Sequence, residues 1–120
     1  MWIKIDDTLY INLQSVKIVR VRPNRTAEMF GHENGQPVEF GDVEGATFEH
    51  LIRVLKQGGW ADVGAGQIDD GRGDRYYVDL NKFSKIQFSA GLQLFTDNTN
   101  RPAYTYTDPG VIEAVQKVLS

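Results

Sequence analysis

Apolar and polar residues alternate with a period of two along most of this chain, and only two stretches change to the longer period of a helix. Residues 2 to 5 and 8 to 13 read as short extended runs. Residues 15 to 22 read as a longer one, with Val16 and Ile18 on one side and Val19 and Val21 on the other. Arg22-Pro23-Asn24-Arg25 predicts a turn, because proline presets the φ of a turn's second position and asparagine tolerates the third. Glu28 to His32 and Val38 to Gly41 form the next two runs, joined through Glu33-Asn34-Gly35-Gln36, where Asn-Gly is a strong hairpin signal. Then Phe48, Leu51, Ile52 and Leu55 recur at i, i+3, i+4, i+7, an apolar stripe wide enough to seat a helix on a sheet. Lys56 complements the dipole at the end of that helix, and Gly58-Gly59 supplies a left-handed residue to close it.

The remaining residues follow the same plan. Extended runs are predicted at Trp60 to Val63, Tyr76 to Leu80, Lys82 to Ser89, Leu92 to Thr96 and Ala103 to Thr107. A second helix opens with Asp108 as a cap and Pro109 at its first position, and presents Val111, Ile112, Val115, Val118 and Leu119 on one face. Individual residues also recur. Tyr10-Ile11-Asn12-Leu13 matches Tyr77-Val78-Asp79-Leu80 at an offset of 67, and Ile18 matches Ile86 at 68. Glu28-Met29-Phe30 matches Gln93-Leu94-Phe95 at 65, and Phe48 to Leu55 matches Ile112 to Leu119 at 64. An order that holds while the offset drifts by single residues is the mark of a tandem repeat with small insertions in its turns. A half of about 60 residues buries only about 60% of its unfolded surface, and no Pro- or Ser-rich linker separates Gln57 from Trp60. The expectation is therefore one co-folded α+β domain over 1–120, built from repeats 1–58 and 59–120 about a pseudo-twofold axis.

Four strands followed by a helix, present twice, resemble the helix-swapped β4α fold of the single-stranded-DNA-binding transcriptional regulators, the superfamily of the Whirly proteins, the Pur-type repeats and related coactivators. In its length, its opening Trp2 and its Tyr10-Ile11-Asn12-Leu13 segment, the chain is similar to small cyanobacterial proteins placed in that superfamily by fold. The resemblance implies antiparallel sheets, helices crossed over each other's sheets, and a curved sheet surface that binds unpaired nucleic acid.

Charge and composition bear on that implication. Single-strand binders need a positive groove for the backbone and aromatic faces for the bases. The candidates for phosphate contact are Lys17, Arg20, Arg22 and Arg25 in the first half and Lys82 and Lys85 in the second, with Tyr76 and Tyr104 to stack bases. The same residues also fit a solvated strand face, half-buried sheet tyrosines and lysines that blunt an edge. The net charge is -3, made of -1 over residues 1–58 (7 basic, 8 acidic) and -2 over 59–120 (6 basic, 8 acidic), so phosphate binding requires the cations to be gathered on one face. The leading expectation is a non-enzymatic, single-stranded-nucleic-acid-binding module. The alternative is a module for protein interaction or self-association as a homodimer through exposed edges and apolar patches.

Other chemistry is sparse. There is no cysteine, so disulfides, thiolate metal sites and thiol nucleophiles are excluded, and a cytoplasmic location is the simplest expectation. Asp6-Asp7 interrupts any apolar signal core, and no apolar run approaches the roughly 20 residues of a membrane span, so no membrane partner is expected. His32 and His50 lie 18 positions apart with no acidic residue at a zinc-protease spacing, and no nucleophile motif is present. Neither a metal nor a cofactor is expected. Asp6-Asp7 and Asp69-Asp70 read as turns, and the Gly- and Asp-rich segment from Gly66 to Arg75 as an exposed loop.

Overall fold

A computed structural model describes residues 1–33, 36–64, 73–96 and 101–120, and of residues 32, 33, 36, 37 and 64 the backbone alone. The described residues form a mixed α+β fold with ten strands, all paired antiparallel, and two helices. The first half holds β1 (Trp2–Asp6), β2 (Leu9–Asn12), β3 (Ile18–Val21), β4 (Ala27–Glu33), β5 (Gln36–Val43) and α1 (Gly45–Gln57). The second holds β6 (Ala61–Gly64), β7 (Arg75–Val78), β8 (Lys85–Phe88), β9 (Leu92–Phe95), β10 (Tyr104–Tyr106) and α2 (Pro109–Leu119). Five strands, rather than four, precede each helix.

Local chemistry sets where these strands stop. The extended runs expected over 8 to 13 and Tyr76 to Leu80 end early, in short 3-10 turns at Leu13–Ser15 and Leu80–Lys82. The cause is the same in both. The side chains of Asn12 and Asp79 each accept a bond from the backbone N–H two residues on, at Gln14 and Asn81, which bends the chain out of the ladder. After the turns the two halves stay in step. The Lys17 N–H donates to the Phe30 carbonyl and the Ser84 N–H to the Phe95 carbonyl, each at 2.8 Å. Ile18 is then paired with Phe30 and Lys85 with Phe95, so Ile86 corresponds to Val19 and not to Ile18, and the offset stays at 67 where residue matching suggested 68.

The predicted turn at Arg22 is present, with the Arg25 N–H donating to the Arg22 carbonyl at 3.2 Å. Asp6 closes the β1–β2 turn by accepting from the backbone and hydroxyl of Thr8, which holds its carboxyl below the usual carboxylate range. The Asn34-Gly35 turn lies outside the described residues, as do Asp69, Asp70 and most of the Gly66 to Arg75 segment. α1 ends with Gly59 in the left-handed region at φ +79°. α2 begins with Asp108 accepting from the N–H groups of Gly110 and Val111, as its sequence predicts. Its last turn departs from expectation: Val118 and Leu119 are about half exposed.

The central sheet has the order β5-β4-β3-β7-β6, so three strands of the first half continue into two of the second. The seam is the β3–β7 ladder, with Ile18 opposite Val78, Val19 opposite Tyr77 and Arg20 opposite Tyr76. Because side chains alternate across a strand, the two sides of β3 feed two cores. Val19, Met29 and Val43 join α1's Phe48, Leu51 and Leu55 in one cluster, and Ile18 and Val78 join α2's Val111 and Val115 in the other. The helices are therefore not crossed as the resemblance implies. Each is packed chiefly on its own half, and the halves exchange one buried side chain each way, Tyr77 into the first core and Ile18 into the second, with the partly buried Trp60 and Phe30 crossing beside them. The physical reason is the shared sheet, which already joins the halves through backbone bonds and leaves each helix free to cover the nearest strands.

Two smaller sheets flank this one, β1-β2 and β10-β9-β8. Among the described residues no helix is long and apolar enough to cross a membrane.

Candidate functional site

The face of the central sheet that carries Ile18 also carries Arg20, Glu28, Phe30 and Tyr76, and the register divides it into a charged end and an apolar end. The charged end gathers two of the expected cations, Arg20 and Arg22, but among carboxylates, while a third, Arg25, lies against α1. Arg20 grips one oxygen of Asp74 with two donors, Nε at 2.8 Å and Nη2 at 2.6 Å, and lies 3.5 Å from Glu28. Arg22 bonds Glu28 and Thr26 and approaches Asp42. Arg25 pairs with Glu49 and lies over the Phe48 ring. Arg20 and Arg22 do share a face, as their alternation predicts, and they share Glu28 on it. Glu28 and Asp74 are buried, and a buried carboxylate is retained only where cations match it. Glu28, Glu39 and Asp42 come within metal-binding distance of one another, but Glu28 is already held by two arginines.

The lysines are placed differently. Lys82 reaches across the seam, its Nζ donating to the carbonyls of Leu13 and Gln14 and lying 3.5 Å from Asp79, so it ties one 3-10 turn to the other. Lys85 folds over the Phe95 ring at 4.1 Å. Lys17 contributes its backbone to the seam, accepting from the Asp79 N–H. Lys82 and Lys85 are thus engaged on the 3-10 turns and on β9, not on the carboxylates that hold Arg20 and Arg22.

The two tyrosines do come together. A cleft of about 320 Å³ lies between Ile18, Phe30 and Tyr76 of the central sheet and Tyr104 to Tyr106 of β10. Tyr104 is fixed in its wall, with its hydroxyl donating to the Gly31 carbonyl at 3.1 Å and its ring meeting Phe83 edge-on at 5.9 Å. Burial raises the pKa of Tyr104, and raises that of Tyr106 further. Gly31 is required here, because a Cβ would fall 2.7 Å from the Ser15 carbonyl oxygen and closer still to Phe40.

A second feature, which side-chain charge did not reveal, lies at the strand edges. Met1, Trp2, Leu9 and Tyr10 on the β1-β2 sheet and Phe88 on β8 are exposed, Trp2 by 64% and Tyr10 by 53%. Among the described residues β2 pairs with β1 alone and β8 with β9 alone, so each has an open side. The signal available in the sequence was the make-up of these strands: Leu9-Tyr10-Ile11-Asn12 has no charge or proline to protect it, and Lys85-Ile86-Gln87-Phe88 has one lysine.

The chain matches no protein-family model, no curated protein and no solved structure.

Proposed function

We propose that the chain is a tandem of two copies of one β-rich unit ending in a helix, and that it is a non-enzymatic binding module that works by protein assembly. The tandem reading is supported by identical local solutions at corresponding positions. Asn12 and Asp79 make the same cap, Lys17 and Ser84 the same ladder bond, and the Phe48 and Ile112 N–H groups donate to the carbonyls of Glu44 and Asp108.

The assembly reading is carried by one observation: among the described residues, the large exposed apolar side chains outside α2 are Met1 and residues of β1, β2 and β8, beside strand edges left open. Apolar surface next to unpaired backbone is what a partner strand covers, gaining ladder hydrogen bonds and buried area together. The charged end of the sheet offers less. Its arginines are matched by carboxylates, so a phosphate would have to displace partners already in place.

A second reading, a single-stranded-nucleic-acid-binding regulator-like protein, is favoured by the cleft that brings Tyr76 and Tyr104 together. Fluorescent oligo-dT at low salt separates the two. The assembly reading expects no binding. Salt-sensitive binding that Tyr76→Ala weakens would overturn it in favour of the second.

A further inference from the structure

The central sheet reads β5-β4-β3-β7-β6. Replacing each strand by the one in the corresponding place of the other half gives β10-β9-β8-β2-β1. Among its described residues the chain contains both ends of that second sheet, β10-β9-β8 and β2-β1, but not the ladder at its centre. The missing ladder is the counterpart of the β3–β7 seam.

We infer that a second copy of this chain supplies it: β8 of each chain pairs antiparallel with β2 of the other, in two identical ladders about a twofold axis. The inference rests on the tandem reading above and names the partner in the assembly reading. The seam fixes the register. Carried over by 67 positions, Ile18 opposite Val78 becomes Lys85 opposite Ile11, Val19 opposite Tyr77 becomes Ile86 opposite Tyr10, and Arg20 opposite Tyr76 becomes Gln87 opposite Leu9.

The side chains fit these roles. In the closed seam Tyr77 is 8% exposed, whereas its counterpart Tyr10 is 53% exposed and has Ile86 as its designated partner. The proposed pairs set apolar or neutral groups against each other. The lone charge, Lys85, is folded over Phe95 on its own sheet, away from the ladder. The β5 edge is treated differently: it carries Glu39 and Asp42 with Pro37 in the strand, the usual protection against pairing. Among the described residues the β2 and β8 edges of one chain are not paired with each other, so both are open to a second copy. An interface in which β8 meets β2 and β2 meets β8 is self-complementary and closes at two chains.

The test is light scattering after size exclusion over a range of concentrations, with two double variants at exposed, directly opposed positions. The wild-type chain is expected at twice its 13.5 kDa mass. Leu9→Lys with Gln87→Lys sets like charges opposite each other in both ladders and is expected to raise the dimer Kd at least about tenfold. Leu9→Glu with Gln87→Lys sets opposite charges there and is expected to recover most of that loss. Circular dichroism confirms that both variants fold. A 13.5 kDa species at every concentration overturns the inference, as does a dimer indifferent to the lysine pair or one that the Glu–Lys pair fails to recover. A monomer leaves the assembly reading itself to the oligonucleotide experiment, which does not depend on mass.

Discussion

In the tandem reading proposed above the β3–β7 seam and the β2 and β8 edges correspond, yet the seam is closed and buried while the edges are open and apolar. Val19 and Tyr77 face each other in the seam with almost no exposure; Ile86 and Tyr10, at the corresponding places, do not meet. The same kind of residue is therefore structural in one place and available for contact in the other. What decides is whether a strand lies alongside, not what the strand is made of.

The sharpest way to break this comparison is to truncate both tyrosines. Tyr77→Ala opens a hole in the first core and is expected to cost about 3 to 4 kcal/mol in denaturant unfolding. Tyr10→Ala, made at low concentration where chains are separate, is expected to change stability by less than about 0.5 kcal/mol. Equal costs would mean that the two places are not as different as their exposure indicates.

Charge offers a smaller contrast of the same kind. Asp74→Ala removes the carboxylate that Arg20 grips with two donors, leaving Glu28 at 3.5 Å, and is expected to cost about 2 kcal/mol, less than for a fully buried pair because the Arg20 side chain is 24% exposed. Asp62→Ala removes the partner of Arg75, whose side chain is 57% exposed, and is expected to cost under about 1 kcal/mol in the same assay.

The cleft gives a pH signature. Burial raises the pKa of Tyr104 and Tyr106 in the folded chain above the ordinary tyrosine value of about 10. The unfolded chain loses those protons first as pH rises, so their contribution is fully present below about pH 10 and is lost through the range above it. Alkaline titration followed by tyrosinate absorbance should show these rings ionising late, together with loss of structure. Early, independent ionisation would place them in solvent.

Much of the secondary structure was legible in the sequence because it follows from short-range chemistry. Alternation marked the strands, the stripe from Phe48 to Leu55 marked α1, and Asp108-Pro109 marked the start of α2. The 3-10 turns were missed although their signal is local: Asn12 and Asp79 each precede a leucine that continues the alternation, and the cap competes with the strand. The seam was not legible, since pairing of β3 with β7 joins segments 54 or more positions apart in the chain. For that reason the candidate site was read only in part. Arg20 and Arg22 share a face as expected, but the Asp74 that grips Arg20 comes from the far side of the seam. A cation's availability depends on the carboxylates the fold brings to it, and local sequence does not list them.

The exchange of Ile18 and Tyr77 carries a consequence for cooperativity. Each half holds a plug that belongs to the other's core, so neither can melt first without opening a hole in its neighbour. The chain has no point between Gln57 and Trp60 at which it divides into two self-sufficient fragments. Pieces cut there would complement each other, and only together would they restore both cores.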